Sequence, residues 1–354
     1  MEKRKIYRTG ARGKPSYALV LPKEWVERIY PDPSLKREVE VSVFGDKLLV
    51  LPSAEIYPPA AKLVKEQYQP SDVWLEAAIL HCYLTSIDRV EVVGNIDDKE
   101  TSARIDKLRR KLSGFQIEER TSSKLALSFS TPLRPMRDIL ERSYGLLTGL
   151  HLENKSLLNK FPDIGRILDD SMRTVQSNED DADQNAMLGK RLLIRALQDP
   201  EVSQKLGIGE AHEILDYHTI VTSLERLSDL ETELFRLSAD LFKRVDKSAA
   251  AREGLRFSEK PSEYHFTQYF DDLFRMVKDS HDSRDDPQLA LKLLSTRALE
   301  YRPEYVAEEQ RKKIISYSST HKFSEYLVPL EGKIWAMSGI ATNIAEAWLD
   351  MRAI

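Results

Sequence analysis

Along residues 132–354 apolar positions recur at steps of three and four, the spacing with which a helix buries one stripe of its surface. The longest uninterrupted run is 211–243, where Ile220, Leu224, Leu227, Leu230, Leu234, Leu237 and Leu241 form the stripe. Helices are predicted over 134–159, 163–198 and 210–246, with helical periodicity continuing to the end of the chain. Before residue 132 the pattern differs. Residues 16–21 read as a strand stopped by Pro22, and 23–29 as a short helix opening behind that proline. Residues 38–44 alternate Val39, Val41 and Val43 inward against Glu40 and Ser42, and Gly45-Asp46 turns the chain into a second strand over 47–51. Pro52, Pro58, Pro59 and Pro70 mark a stiff linker over 53–71. A helix over 72–86, a strand over 89–93, a helix over 98–112 and strands over 115–119 and 124–129 then predict a small α/β unit. The class is α+β and multidomain: a β domain (1–52), the linker, an α/β unit (72–131) and two helical repeats (132–256 and 257–354).

Composition narrows the setting. The single cysteine, Cys82, excludes an intramolecular disulfide and an all-cysteine metal site, and fits a reducing cytoplasm. No apolar run reaches the ~18 residues that span a bilayer, and Met1-Glu2-Lys3-Arg4-Lys5 lacks the core of a signal peptide. A cytoplasmic protein without membrane insertion is expected. The net charge of −4 is unevenly spread: residues 1–14 hold six cations against Glu2 alone, a net +5 that leaves −9 for the rest. A basic arm on an acidic body suits a polyanionic partner; a solvated tail is the alternative. The β domain has one oily face and buries too little to stand alone, so a second copy is its simplest cover.

Two carboxylate pairs stand out in the helical half. Glu179 and Asp183 share a face, and at 100° per residue Leu168, Met172, Val175, Ala186, Leu193 and Leu197 point within about 40° of Glu179. Acids inside an apolar stripe need a cation, basic side chains or a place at the rim. Glu225 and Asp229, within Glu225-Arg226-Leu227-Ser228-Asp229, lie opposite Leu224, Leu227, Leu234 and Leu241, where solvent-facing acids are expected. Facing helices with such pairs hold carboxylate-bridged metals; acids capped or paired with arginine at the surface are the alternative. No Gly-rich phosphate loop, His/Cys cluster or nucleophile motif appears over 53–131, and His81 beside Cys82 reads as packing. A di-metal oxidase or hydrolase would want a Glu-x-x-His spacing, absent over 163–198 and 210–246. No catalytic residue is assigned.

The run Glu225–Asp229 resembles the E-R-I-G-D signature of PhoU, the helical regulator of phosphate uptake, and residues 175–185 resemble its D-x-x-x-D helix. Gly339-Ile-Ala-Thr-Asn343-Ile-Ala-Glu346 is similar to that family's D-H-A-x-N-I-A-E tail, with Trp335 and Gly339 at the two acidic positions. In the second repeat Glu300 and Glu304 are separated by Pro303, which disturbs their helix. At the other end Arg4-Lys5-Ile6-Tyr7-Arg8-Thr9-Gly10, then Ser16-Tyr17 through Leu21-Pro22-Lys23-Glu24-Trp25-Val26 and the hairpin, resemble the AbrB/SpoVT DNA-binding domain. The basic loop 11–15 is longer than is usual there, and 30–37 replaces its common Gly-Asp turn. Residues 83–93 and 111–121 resemble the middle segment of archaeal proteins that join the two families.

The resemblance implies a dimeric swapped-hairpin barrel followed by a pair of PhoU-like three-helix bundles. It implies DNA contacts at Arg4, Arg8, Arg12, Lys14 and Lys23, and ligands for an iron or zinc cluster at Glu179, Asp183, Glu225 and Asp229. The expected function is a DNA-binding regulator of phosphate uptake, a homodimer or higher homo-oligomer, whose helical half senses a signal or docks a phosphate ABC-transporter ATPase or a sensor kinase. The alternative is a metal-binding adaptor that acts by protein contact without DNA.

Overall fold

The computed structural model describes residues 6–9, 16–29, 39–44, 47–52, 60–64, 72–96, 99–159, 167–244, 266–300 and 324–352. The chain divides into two compact units, Met1–Pro59 and Ala60–Ile354.

In the first unit β1 (Ile6–Thr9) pairs antiparallel with β2 (Ser16–Leu19), setting Arg8 opposite Tyr17. Helix α1 (Lys23–Ile29) follows, opened by the Val26 amide donating to the Pro22 carbonyl at 3.0 Å. Strands β3 (Val39–Phe44) and β4 (Lys47–Pro52) form the predicted hairpin, with Val41 opposite Val50. Val20 and Val41 are each 55% exposed, and among the described residues of this unit none joins a buried apolar cluster.

The second unit opens with a strand where the sequence predicts linker. β5 (Ala60–Val64) runs parallel to β6 (Arg89–Val93), with α2 (Asp72–Leu84) between them in sequence. Ala-Ala-Lys-Leu-Val is too short to announce itself among flanking prolines, and only its pairing with β6 makes it a strand. After α3 (Lys99–Lys111), β7 (Phe115–Arg120) and β8 (Lys124–Phe129) complete a four-stranded sheet in the order β5-β6-β8-β7. The α/β unit predicted from sequence is therefore present with one additional strand. Val90, Val92, Leu125, Leu127 and Phe129 alternate inward and meet Leu75, Ile79, Ile105 and Leu108 from the two helices. Gly114, at φ +75°, is required in the turn before β7, since a Cβ there would come 2.0 Å from the Ser130 carbonyl oxygen.

The helical half comprises α4 (Met136–Asn159), α5 (Ile167–Gln198), the short α6 (Pro200–Lys205) capped by Asp199, α7 (Glu213–Arg244), α8 (Phe266–Asp282), α9 (Pro287–Glu300) and α10 (Ser324–Asp350). Among the described residues no helix is long and apolar enough to cross a membrane. Helix α7 packs against α4, α5 and α10. Its predicted stripe is buried at Ile220, Leu224, Leu227, Leu230 and Leu234, but Val221, Phe235 and Ala239 are buried as well, because neighbours cover more than one side. Val277, Met337, Ile340, Ile344 and Trp348 join the same core, so the two helical halves share one interior.

Helix α5 serves two cores. Ala186, Leu193 and Ala196 face the helical core, whereas Met187 packs against the core of the α/β layer. Gly189 lets α4 and α7 come close: a Cβ there would lie 3.3 Å from side-chain carbons of Ile139 and Val221.

Candidate functional site

The four acids singled out by sequence lie on adjoining stretches of α5 and α7, and each meets a different environment. Glu179, its side chain 18% exposed, accepts from Arg236 Nη2 on α7 at 2.6 Å and from Gln176 Nε2 at 3.0 Å. Asp183 accepts from Lys111 Nζ at the end of α3 at 2.8 Å, and that hydrogen bond raises the lysine above its ordinary range. Glu225 pairs with Lys190 of α5, both side chains more than four-fifths buried. The helical arithmetic placed Glu225 on a solvent face; α5 covers that face. Asp229 stands exposed at the edge, where partial burial and then the charges of Asp183, Glu225, Glu179 and Glu233 push its carboxyl up to about 6.

Of the four acids Glu179 and Asp183 border a cleft of about 380 Å³ between α3, α5 and α7, lined also by Lys107, Arg110, Lys111 and Arg236. A carboxylate-bridged ion needs ionised, convergent donors. Three of the four acids already hold a basic side chain, and among the described residues no group of three or more His, Cys, Asp or Glu is disposed to hold an ion. In this arrangement the residues do not fit the implied iron or zinc cluster.

Of the residues expected to contact DNA, Arg4, Arg12 and Lys14 lie outside the described residues and Arg8 falls on β1. Lys23 opens α1 with its side chain 84% exposed, 3.6 Å from Glu27. In the second helical half Glu300 ends α9, and Glu304 lies outside the described residues.

Two buried polar centres were not legible in the sequence. Arg191 of α5 is fully buried, and it reaches into the α/β layer. Its guanidinium donates to the Tyr83 and Ile87 carbonyls at the end of α2, to Asp88 Oδ1 and, at 2.9 Å, to Thr131 Oγ1. It lies 4.8 Å from the Tyr83 ring centroid and 5.5 Å from that of Phe129. Ser86, at φ 66°, returns a hydrogen bond to the Arg191 carbonyl at 3.2 Å. The cation thus caps a helix C-terminus from a neighbouring layer.

The second centre is Glu231 on α7, fully buried, accepting from Asn154 Nδ2 at 2.7 Å and lying 3.1 Å from His151 Nδ1. Burial raises its carboxyl above the usual range, with His151 and Asn154 opposing. The His151 ring stacks on Phe274 of α8 at 3.7 Å, and His281 of α8 stacks on Tyr144 of α4 at 4.4 Å. In the sequence Arg191 follows Lys190 and Glu231 lies between Asp229 and Glu233, so charge alone does not single out either residue or name the partner it will meet.

Compared with known proteins, the chain matches no protein-family model, no curated protein and no solved structure.

Proposed function

We propose that the chain is a DNA-binding regulator of phosphate uptake. Its first unit would pair with a second copy to complete a swapped-hairpin barrel that grips operator DNA, and its helical half, built as PhoU-like bundles, would sense a signal or dock a transporter ATPase or sensor kinase. The observation that carries the reading is the pair of antiparallel hairpins in the first unit with Val20 and Val41 left open to solvent. Two exposed valines, Val41 on β3 and Val20 just after β2, on so small a unit call for a partner, and dimerisation would double the net +5 carried by residues 1–14. The helical half has no assigned chemistry in this reading and acts through contact.

The test is a titration of the full-length protein against its own promoter DNA and a scrambled duplex at two salt concentrations, with Arg4→Ala, Arg8→Ala and Lys14→Ala combined as the control. Preference for the promoter that weakens with salt and is lost in the control is the expected result, because phosphate contacts release counterions. No binding to either duplex at low salt refutes it and leaves an adaptor that works by protein contact.

A further inference from the structure

The acidic cluster on α5 and α7 has a feature that its carboxylate spacing does not predict: its cations come from three different elements. Lys111 reaches Asp183 from α3, Lys190 reaches Glu225 from within α5, and Arg236 reaches Glu179 from α7. Beside the first contact, Gln184 Nε2 donates to the Arg110 carbonyl at 2.9 Å, so α3 is held to α5 by main chain as well as charge. Glu179, Asp183 and Glu225 have side-chain exposures of 18%, 21% and 16%, sheltered enough that removing their cations would leave carboxylates poorly compensated by water.

We propose that Lys111, Lys190 and Arg236 are the resident counter-ions of this cluster, filling the electrostatic role a divalent metal would have. The helical half is then complete without an ion, and a metal enters only by displacing these side chains. Because Lys111 belongs to the α/β layer, the same displacement removes one of the ties between α3 and α5. Metal occupancy and docking of α3 are mutually opposed by linkage. The cations are poor substitutes for one another in geometry, since Arg236 presents a planar fork while the lysines are point charges, but each neutralises one acid. The inference does not depend on DNA binding by the first unit, so the two tests fail separately.

The experiment is equilibrium dialysis of the chelator-stripped full-length chain against Zn²⁺ or Mn²⁺ alone, with bound metal measured directly. The comparison is Lys111→Met, Lys190→Met and Arg236→Met combined, with circular dichroism to verify folding. Removing the counter-ions is expected to raise metal affinity at least about tenfold, the equivalent of 1.4 kcal/mol, and adding Asp183→Asn and Glu225→Gln is expected to abolish the gain. Equal affinity in wild type and variant, tighter binding by wild type, or no uptake by either overturns the proposal. Should the triple variant fail to fold, Lys190→Met alone, which leaves the α3 contact in place, is expected to bind metal more tightly than wild type. No gain in metal affinity for Lys190→Met overturns the proposal.

Discussion

Replacing Arg191 with methionine tests how the α/β layer is held to the helices. The substitution keeps much of the aliphatic stem and removes the guanidinium, and with it hydrogen bonds to the Tyr83 and Ile87 carbonyls, Asp88 and Thr131 and the contacts over two rings. A hydrogen bond from a charged donor contributes about 1.5–3 kcal/mol, and a cation held over a ring in a desolvated site contributes about 2 kcal/mol more. Against these stands the desolvation of the guanidinium, which burial pushes below its ordinary range despite Asp88. Asp88 itself is 42% exposed and regains water when its partner leaves, so its loss counts for little. The net cost should be about 3 kcal/mol, within the range for breaking a buried charged network. With a urea m-value of ~2–3 kcal/mol/M, the midpoint of the α/β layer falls by roughly 1 M. Circular dichroism combined with amide exchange at the last turn of α2 reads this directly. Arg191→Lys should recover little, because one ammonium cannot replace a fork that reaches four acceptors. An unchanged midpoint in Arg191→Met, or full recovery by lysine, refutes the capping role.

Further outcomes follow from the same contacts. Glu231→Ala removes the carboxylate beside His151 and one of the two acceptors of Asn154 Nδ2, whose 2.8 Å bond to the main-chain carbonyl of residue 231 remains, and should lower stability by about 2 kcal/mol, with Glu231→Gln less harmful because it keeps an acceptor; equal losses in urea unfolding would refute this. Burial holds the His281 imidazole below the ordinary histidine range, with Glu141 opposing. The unfolded chain therefore takes up the proton first as pH falls, so this contribution is intact above about pH 6.5 and is lost as pH drops through that value toward the lowered native one. His281→Phe should flatten that part of the stability profile measured by urea midpoints, and an unaltered slope would refute the assignment. Gly114→Ala should cost more than about 1 kcal/mol in thermal unfolding, since it combines a positive φ with a collision at the Ser130 carbonyl; a neutral effect would contradict the turn geometry.

Periodicity determined most of the local structure by itself. The stripe from Ile220 to Leu234 defined α7, the alternation of Val39, Val41 and Val43 defined a hairpin strand, and the acids at 179, 183, 225 and 229 were legible as two pairs on two helices. Such patterns are local, because side-chain direction repeats with the backbone's own period. What the acids meet was decided only in three dimensions. Lys111 lies 72 residues from Asp183 and Lys190 lies 35 from Glu225, and no spacing rule reaches so far. Glu225 looked solvent-facing because a helical wheel cannot know that a second helix covers its polar side. β5 was hidden for the same reason, since a five-residue strand gains its hydrogen bonds from β6 and none from itself. Arg191 carries the point furthest: in sequence it is one of three cations between 190 and 195, and only the approach of α2, β8 and Thr131 around it turns a burial penalty into a joint between layers.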